Sequence, residues 1–380
     1  MKRLFYFGIT LLVLFEIANV YFIMPMPGSQ RIASIDFAYW LYTWRWAFRA
    51  IFAAMIVTGA PFAWRTPGRK RFAVPVLLVV AVAAVYVLNF QMAADRMFIA
   101  PKSVLMVPAD RNKVDTSRLI VGIDINGQAR AFPIQFIGYH HQVRDTVDGQ
   151  PIMVSYCTVC RTGRVFSPVV DGHTESFRLV GMDHFNAMFE DSTTGSWWRQ
   201  ANGEAIAGPA KGKALIEIPS RQVKLSEWLA LYPNSLIMQG DSSLRSNYSD
   251  STGYETGKSR KPLTGTDTAS WHDKSWVVGI TVNGQSKAYD WNRLRREGCV
   301  NDVLGGKPIV LALASDKASF FAFVRPSAAT SFSIRNDSLV TGGTAYAFSG
   351  QGAAGALEPV NASQEFWHSW RTFQPATLRY

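Results

Sequence analysis

Cys157 and Cys160 stand two residues apart. Two thiols at that spacing on one tight turn can hold the same metal ion or close a disulfide. Imidazoles lie on both sides in the sequence, with His140 and His141 upstream and His184 downstream. A set of Cys157, Cys160 and His140, completed by His184 or His141, suits zinc or copper by ligand softness. Asp191 is the carboxylate expected to hold the far nitrogen of a ligating imidazole or to act as a catalytic base. A second reading competes directly: outside the cytoplasm thiols tend to oxidise, and Cys-x-x-Cys pairs serve as exchanging disulfides. The third reading is a structural disulfide. Haem attachment requires histidine directly after the second cysteine, and Arg161 stands there. A thioredoxin-like site places the pair at a helix N-terminus, whereas Thr162 to Val170 reads as a strand.

These residues need a scaffold. Pro151 to Tyr156 reads as a short strand that ends on Cys157, after a turn at Val147-Asp148-Gly149-Gln150. Upstream, Leu119 to Ile125 alternates, Asn126-Gly127 turns, and Gln128 to Phe132 returns, a strong hairpin signal. The segment occurs twice. A shift of 157 positions lays Val121-Gly122-Ile123 on Val278-Gly279-Ile280, Asn126-Gly127-Gln128 on Asn283-Gly284-Gln285, Asp145 on Asp302, and Pro151-Ile152 on Pro308-Ile309. Further on, Trp228, Pro233 and Leu236 match Trp370, Pro375 and Leu378 at a shift of 142, so the first copy carries 15 extra residues. They are placed around Gly181 to Gln200, with His184, Asn186, Asp191, Trp197 and Trp198. The second copy has Ala314, Lys317 and Glu297 where the first has Cys157, Cys160 and His140. A feature that one copy lacks is not required by a shared fold, so the cysteines and histidine are assigned to chemistry. Two units are too few for a solenoid. Helical signals are few: Ser226 to Pro233, and Ser363 to Phe373.

Other candidates have plainer readings. His173 and His272 sit in polar turns, and His368 packs in the terminal helix. Cys299 reads as a buried thiol, and Asp145 and Asp302 as turn caps. Trp197 and Trp198 read as core aromatics. The sequence has no phosphate-cradling glycine loop, no G-x-S-x-G elbow and no H-E-x-x-H helix.

The first hundred residues differ in composition. Leu4 to Met24 is apolar except for Glu16, and Phe72 to Phe90 carries no charge. Both are long enough to cross ~30 Å of hydrocarbon at about 1.5 Å per residue. Trp46 to Trp64 is a third span, with Arg49 inside it and Arg45 just before it, both able to snorkel to a headgroup layer. Trp40, Tyr42, Trp44 and Trp46 resemble an interfacial aromatic belt. A cleaved signal peptide is the alternative for the first run: Lys2-Arg3 gives a basic n-region, but the apolar stretch is long and no A-x-A site follows it. Lys2, Arg3, Arg65, Arg69, Lys70 and Arg71 form two basic clusters. With both in the cytoplasm, three crossings leave residues 95–380 outside, in the periplasm of a cell with an inner membrane. Net charge is +11, but the remaining basic residues are scattered, which argues against nucleic acid as a partner.

The run His140, Asp145, Gly149, Pro151-Ile152, Tyr156-Cys157-x-x-Cys160, Thr162-Gly163 and Val165-Phe166 resembles the core motif of the domain of unknown function 3179 family. Gly181, Asn186, Asp191, Thr194-Gly195-Ser196, Trp198, Gln200, Gly208-Pro209 and Trp228 extend the resemblance over roughly residues 100–380. Thr158-Val159 replaces the Pro-Leu common between the cysteines, and His141 replaces the common glutamate. The resemblance supports the domain and the choice of residues and implies no reaction.

The sequence therefore predicts N-terminal transmembrane helices followed by a mainly β (β-rich α+β) extracytoplasmic region built from two pseudo-symmetric repeats. Residues 1–94 are the membrane anchor and 95–240 the first repeat with the Cys/His site. Residues 241–274 are a polar linker and 275–380 the second, degenerate repeat. The expected function is metal-dependent chemistry on a small molecule, or metal handling. The alternatives are a thiol–disulfide oxidoreductase using Cys157 and Cys160 and a non-catalytic binding or scaffold module. Membrane lipid is an expected partner, a small-molecule substrate a second, and the sequence points to no particular protein.

Overall fold

The computed structural model describes residues 1–248 and 251–380. It divides into two compact units. Ser249 and Asp250, in the expected linker, lie outside the described residues.

One unit comprises Met1–Ile99, Phe177–Arg199 and Ala205–Lys213. Three of its helices, Lys2–Tyr21, Arg45–Trp64 and Gly68–Gln91, are long and apolar enough to cross a membrane. Glycine lets two of them approach closely. A Cβ on Gly59 would stand 2.3 Å from the Phe5 nitrogen, and one on Gly8 2.8 Å from Ile56 Cγ1. The acid in the first span is fully buried. Arg49 Nε and Nη2 donate to the Glu16 carboxylate at 2.7 and 2.9 Å, and Asn89 Nδ2 donates to it at 2.8 Å. One residue from each of the other two long helices thus meets a carboxylate that would be costly alone. A four-stranded antiparallel sheet belongs to this unit, in the order Ala205–Ala207, Trp197–Arg199, Asn186–Asp191, Phe177–Asp183. Met182 N donates to Ile23 O at 2.7 Å, and the Tyr39 ring meets Trp197 edge-on at 5.0 Å. The extra residues of the first copy therefore group with the helices, where the sequence had placed them in the first repeat.

The second unit comprises Ala100–Ser176, Gln200–Glu204 and Ala214–Tyr380. It is mainly β. Strand Leu119–Ile125 pairs antiparallel with Gln128–Pro133 through Asn126 and Gly127, both left-handed at φ 50° and 83°. Two such residues make the tight turn that matches strand twist. Helix Ile134–His140 follows, then an antiparallel sheet of Gln142–Val147, Gln150–Cys157 and Thr162–Phe166. The expected strand to Val170 is interrupted after Phe166. Arg221–Lys224 and Leu236–Gln239, joined by helix Leu225–Leu231, flank the first hairpin.

The registers of the later strands fall at the offsets seen in the sequence. Ile120 pairs with Pro133 and Val277 with Asp290. Val143 pairs with Val154 and Val300 with Leu311. Ser155 pairs with Arg164 and Ala312 with Phe321. The parallel pairs Leu236–Arg130 and Leu378–Lys287 agree at the second offset. Residues 363–366, expected as helix, finish strand Ala362–Phe366, and the helix begins at Trp367. Alternation along Leu119–Ile125 sends its two faces into different cores. Val121 and Ile123 pack with Ile134, Val154 and Val165, while Ile120 packs with Val310, Phe321 and Phe323 of the later half. Within the expected linker, Tyr254 and Glu255 are buried. Arg118 Nη2 donates to the Glu255 carboxylate at 2.8 Å.

Candidate functional site

Cys157 ends one strand, and the next begins at Thr162, its partner across the turn. Arg161 closes the turn in the left-handed region at φ 59°. Its guanidinium is buried, donating to Gln364 Oε1 at 2.8 Å and to the carbonyls of Tyr254 and Glu255 at 3.0 and 3.2 Å. It lies 3.7 Å from the centre of the Trp276 ring. This anchor fixes the turn that carries both cysteines.

Both cysteines are thiols with no exposed surface, and their side chains hydrogen-bond to each other. Groups from distant parts of the chain cover them. Phe366 N donates to Cys160 O at 2.9 Å, and Ser369 Oγ reaches Cys160 as well as Thr162 Oγ1, the latter at 3.3 Å. His368 Nε2 lies 3.2 Å from Val159 O. Lys274 Nζ donates to Val159 O at 2.7 Å and Leu263 O at 2.6 Å, and it stands 3.3 Å from His368 Nε2. Behind Ser369, Glu365 accepts its hydroxyl at 2.9 Å and Arg164 Nη2 at 2.6 Å.

Burial dominates the electrostatics. It pushes the Cys160 thiol well up, and neighbouring Cys157 pushes it further, while Ser369 and Lys274 act in the opposite direction. Burial lowers the Lys274 ammonium, and the two cysteines pull it back up. Burial, with the Lys274 charge, holds His368 down to about 4, so its ring is neutral at pH 7. Burial also raises the Glu365 carboxyl, with Arg164 opposing. The Cys160 thiol, held up by burial, thus lies beneath a lysine and a neutral imidazole.

The five expected metal ligands do not assemble. Cys157 and Cys160 meet, but the imidazoles are engaged elsewhere. His140 Nε2 lies 2.8 Å from Tyr248 Oη. His141 Nδ1 lies 3.0 Å from the Tyr156 carbonyl, and its burial lowers the ring to about 4. His141 ends helix Ile134–His140 at φ 59°, where Gly298, at φ 73°, ends the corresponding later helix. It therefore serves the chain reversal. His184 belongs to the other unit, with Nδ1 2.5 Å from Asp183 Oδ1. Among the described residues no three His, Cys, Asp or Glu side chains are grouped so as to hold a metal ion. Asp191, in the same unit as His184, caps a turn. It accepts from Thr194 N, Ser196 N and the Trp198 indole at 2.5, 3.1 and 2.8 Å. Burial opposes its ionisation, but these donors together hold its carboxyl below the usual range. These contacts give Asp191 a structural place at the turn. Asp145 and Asp302, expected as turn caps, instead face basic partners, Arg130 at 3.8 Å and Lys287 at 2.7 Å.

Lys274, Ser369 and His368 were missed as site residues. Only one signal was available: His368 and Ser369, just before the matched Trp370, differ from Ser226 and Glu227 at the equivalent positions.

A family model described as Protein of unknown function (DUF3179) matches residues 101–377. The chain belongs to that family. No curated protein and no solved structure matches it.

Proposed function

We propose that this DUF3179 protein is a membrane-anchored thiol–disulfide oxidoreductase in which Cys157 and Cys160 cycle between dithiol and disulfide. The supporting observation is the mutual contact of the two thiols under Lys274, with no third metal-binding side chain grouped with them among the described residues. A thiolate from the pair attacks one sulfur of an oxidised partner disulfide and expels the other as a thiolate. The second cysteine then attacks the mixed disulfide, releasing the reduced partner. The pair's two electrons pass to the partner, and its two protons go to the partner's thiolates or to solvent. Lys274 favours the thiolate by charge. Because burial raises the Cys160 thiol, exchange requires displacement of the segment that Lys274 fastens over the turn.

The membrane side follows from the basic clusters Lys2-Arg3 and Arg65–Arg71, which favour the cytoplasmic face at one end of the spans. The reading therefore places the Cys pair outside the cytoplasm, where disulfides persist. The common register offsets support two copies of one unit, one of which kept the thiols.

Full-length protein in detergent tests the reaction by alkylation and mass spectrometry across a series of thiol redox buffers. Cys157 and Cys160 should become protected together, with a reduction potential above about −300 mV, the range of exchanging bonds. A lower potential, or zinc at one equivalent per chain in elemental analysis, would overturn the reading. Lys274→Met should slow alkylation of the reduced pair about tenfold, the effect of one pKa unit. Lys224→Met, at the other half's turn, should leave it unchanged.

A further inference from the structure

The helical unit contains a cavity of about 580 Å³ that the thiol chemistry does not use. It lies at one end of the bundle. Asn19 near the end of the first span, Arg45 and Arg49 at the start of the second, and Asn89 near the end of the third all line it. Its apolar wall includes Val20, Val85, Leu88 and Phe90.

The charges on this cavity are unequally matched. Arg49 is committed to Glu16. Arg178 is committed to Glu190 at 2.7 Å and Asp95 at 3.3 Å. Arg45 and Arg96 form no ion pair among the described residues: Arg45 donates to the Tyr42 carbonyl and lies 3.7 Å from the centre of the Tyr42 ring, and Arg96 is exposed. Two uncompensated guanidiniums beside hydrocarbon-facing side chains suit a ligand with an anionic head and apolar tails. Guanidinium binds phosphate oxygens with directional donors, and Trp46 and Tyr42 are the aromatic types enriched at the headgroup level.

We propose that this cavity binds the phosphodiester headgroup of an anionic membrane phospholipid, with Arg45 and Arg96 as its cationic contacts and the acyl chains along the third span. Among the described residues neither arginine neutralises a carboxylate, so removing them leaves no such acid stranded and the fold should persist.

Native mass spectrometry of delipidated full-length protein tests this with phosphatidylglycerol and phosphatidylcholine offered separately at equal concentration. Wild type should retain phosphatidylglycerol preferentially. Arg45→Gln with Arg96→Gln should lower that retention roughly 30-fold, on the scale of two lost lipid-facing cations. Arg45→Lys with Arg96→Lys should restore part of it and so separates charge loss from misfolding. Arg65→Gln with Arg69→Gln, at the other end of the second span, should retain wild-type binding. Equal retention of both lipids, or an equal loss in the Arg65/Arg69 control, would overturn the proposal. Full displacement by millimolar inorganic phosphate would also overturn it, because the occupant would then be a free anion.

Discussion

The turn at Cys157–Thr162 and the turn at Ala314–Ser319 occupy matching places in the two halves of the β unit, and each is covered by the helix of the opposite half. Over the first lie His368 and Ser369 of helix Trp367–Phe373. Over the second, Lys224, the residue before helix Leu225–Leu231, donates its backbone N–H to Ser319 Oγ at 2.9 Å. The closures differ. Asp316 ties the second turn by accepting from Ala318 N and Ser319 N at 2.9 and 2.8 Å. The first has no acid there and is held by Arg161 from beneath. The left-handed residue also moves, from Arg161 to Lys317, one place earlier after the offset. Cross-covering is common to both turns, whereas the paired thiols occur on only one of them.

The shared part of the frame has the largest predicted effect. A Cβ on Gly279 would stand 2.1 Å from the Trp370 ring, and one on Gly122 2.6 Å from the Trp228 ring. Each indole is pinned by a matching hydroxyl, Thr377 or Ser235, at 2.8 Å. Neither ring can retreat without losing that bond. Gly279→Ala should therefore cost about 3 kcal/mol or more, with Gly122→Ala close behind. Gly127→Ala meets no neighbour but is left-handed at φ 83°, so roughly 1–2 kcal/mol is expected. Chemical denaturation of the full chain gives the ranking. A mild Gly279→Ala would mean that the indole is not fixed and the frames are not equivalent.

Next in size is a pH effect confined to the first frame and its cover. His141 and His368 are both held down to about 4 by burial, against about 6.5 in an unfolded chain. The unfolded state binds more protons between those values. The stabilisation from each neutral ring is thus present above about pH 6.5 and lost as pH falls toward 4. Going from pH 7 to pH 5 should remove about 1–2 kcal/mol per ring. His184 has the opposite sign: Asp183 raises its pKa, so its support is present at lower pH and lost as pH rises through the folded value. His141→Gly, which installs the residue found at 298, should remove one ring's share of the acid sensitivity. Unchanged acid sensitivity in this variant would show that His141 is not the titrating group.

Local signals carried much of the fold. Asn126-Gly127 announced its hairpin because two successive left-handed residues have a narrow sequence code. The Cys-x-x-Cys pair was placed correctly on a strand-to-strand turn by the alternation before it. The covering groups were not legible. Ser369 and His368 reach the cysteines from some two hundred residues away, and nothing local to Trp367–Phe373 states which turn it will cover. Nearness in sequence does not state which groups His140, His141 and His184 meet in space. Helix and strand geometry instead turned them toward Tyr248, the Tyr156 carbonyl and Asp183. The extra strands of the first copy packed with the apolar helices because Tyr39, Tyr42 and Ile23 offer partners that composition cannot assign.

The smallest expected effect comes from grafting the thiol pair onto the second frame. Ala314→Cys with Lys317→Cys restores the spacing at the matching positions; Lys317 is exposed and the buried Ala314 gains a single sulfur atom, so stability should fall by about 1 kcal/mol. The graft should nonetheless fail as a redox pair. Lys317 is left-handed at φ 56°, whereas Cys160 has no such backbone, so the second sulfur would leave its strand in another direction, and disulfide geometry tolerates little misalignment. The covering groups are wrong as well. Glu227 stands at the position of Ser369, and its carboxyl is raised by burial and by the Asp316 and Asp337 charges, an acidic setting that disfavours thiolates. In a Cys157→Ser/Cys160→Ser background, the grafted pair should stay alkylatable in redox buffers that protect the wild-type pair. If it closes at the wild-type potential, the spacing alone suffices, and Lys274, Ser369 and His368 lose their assigned part.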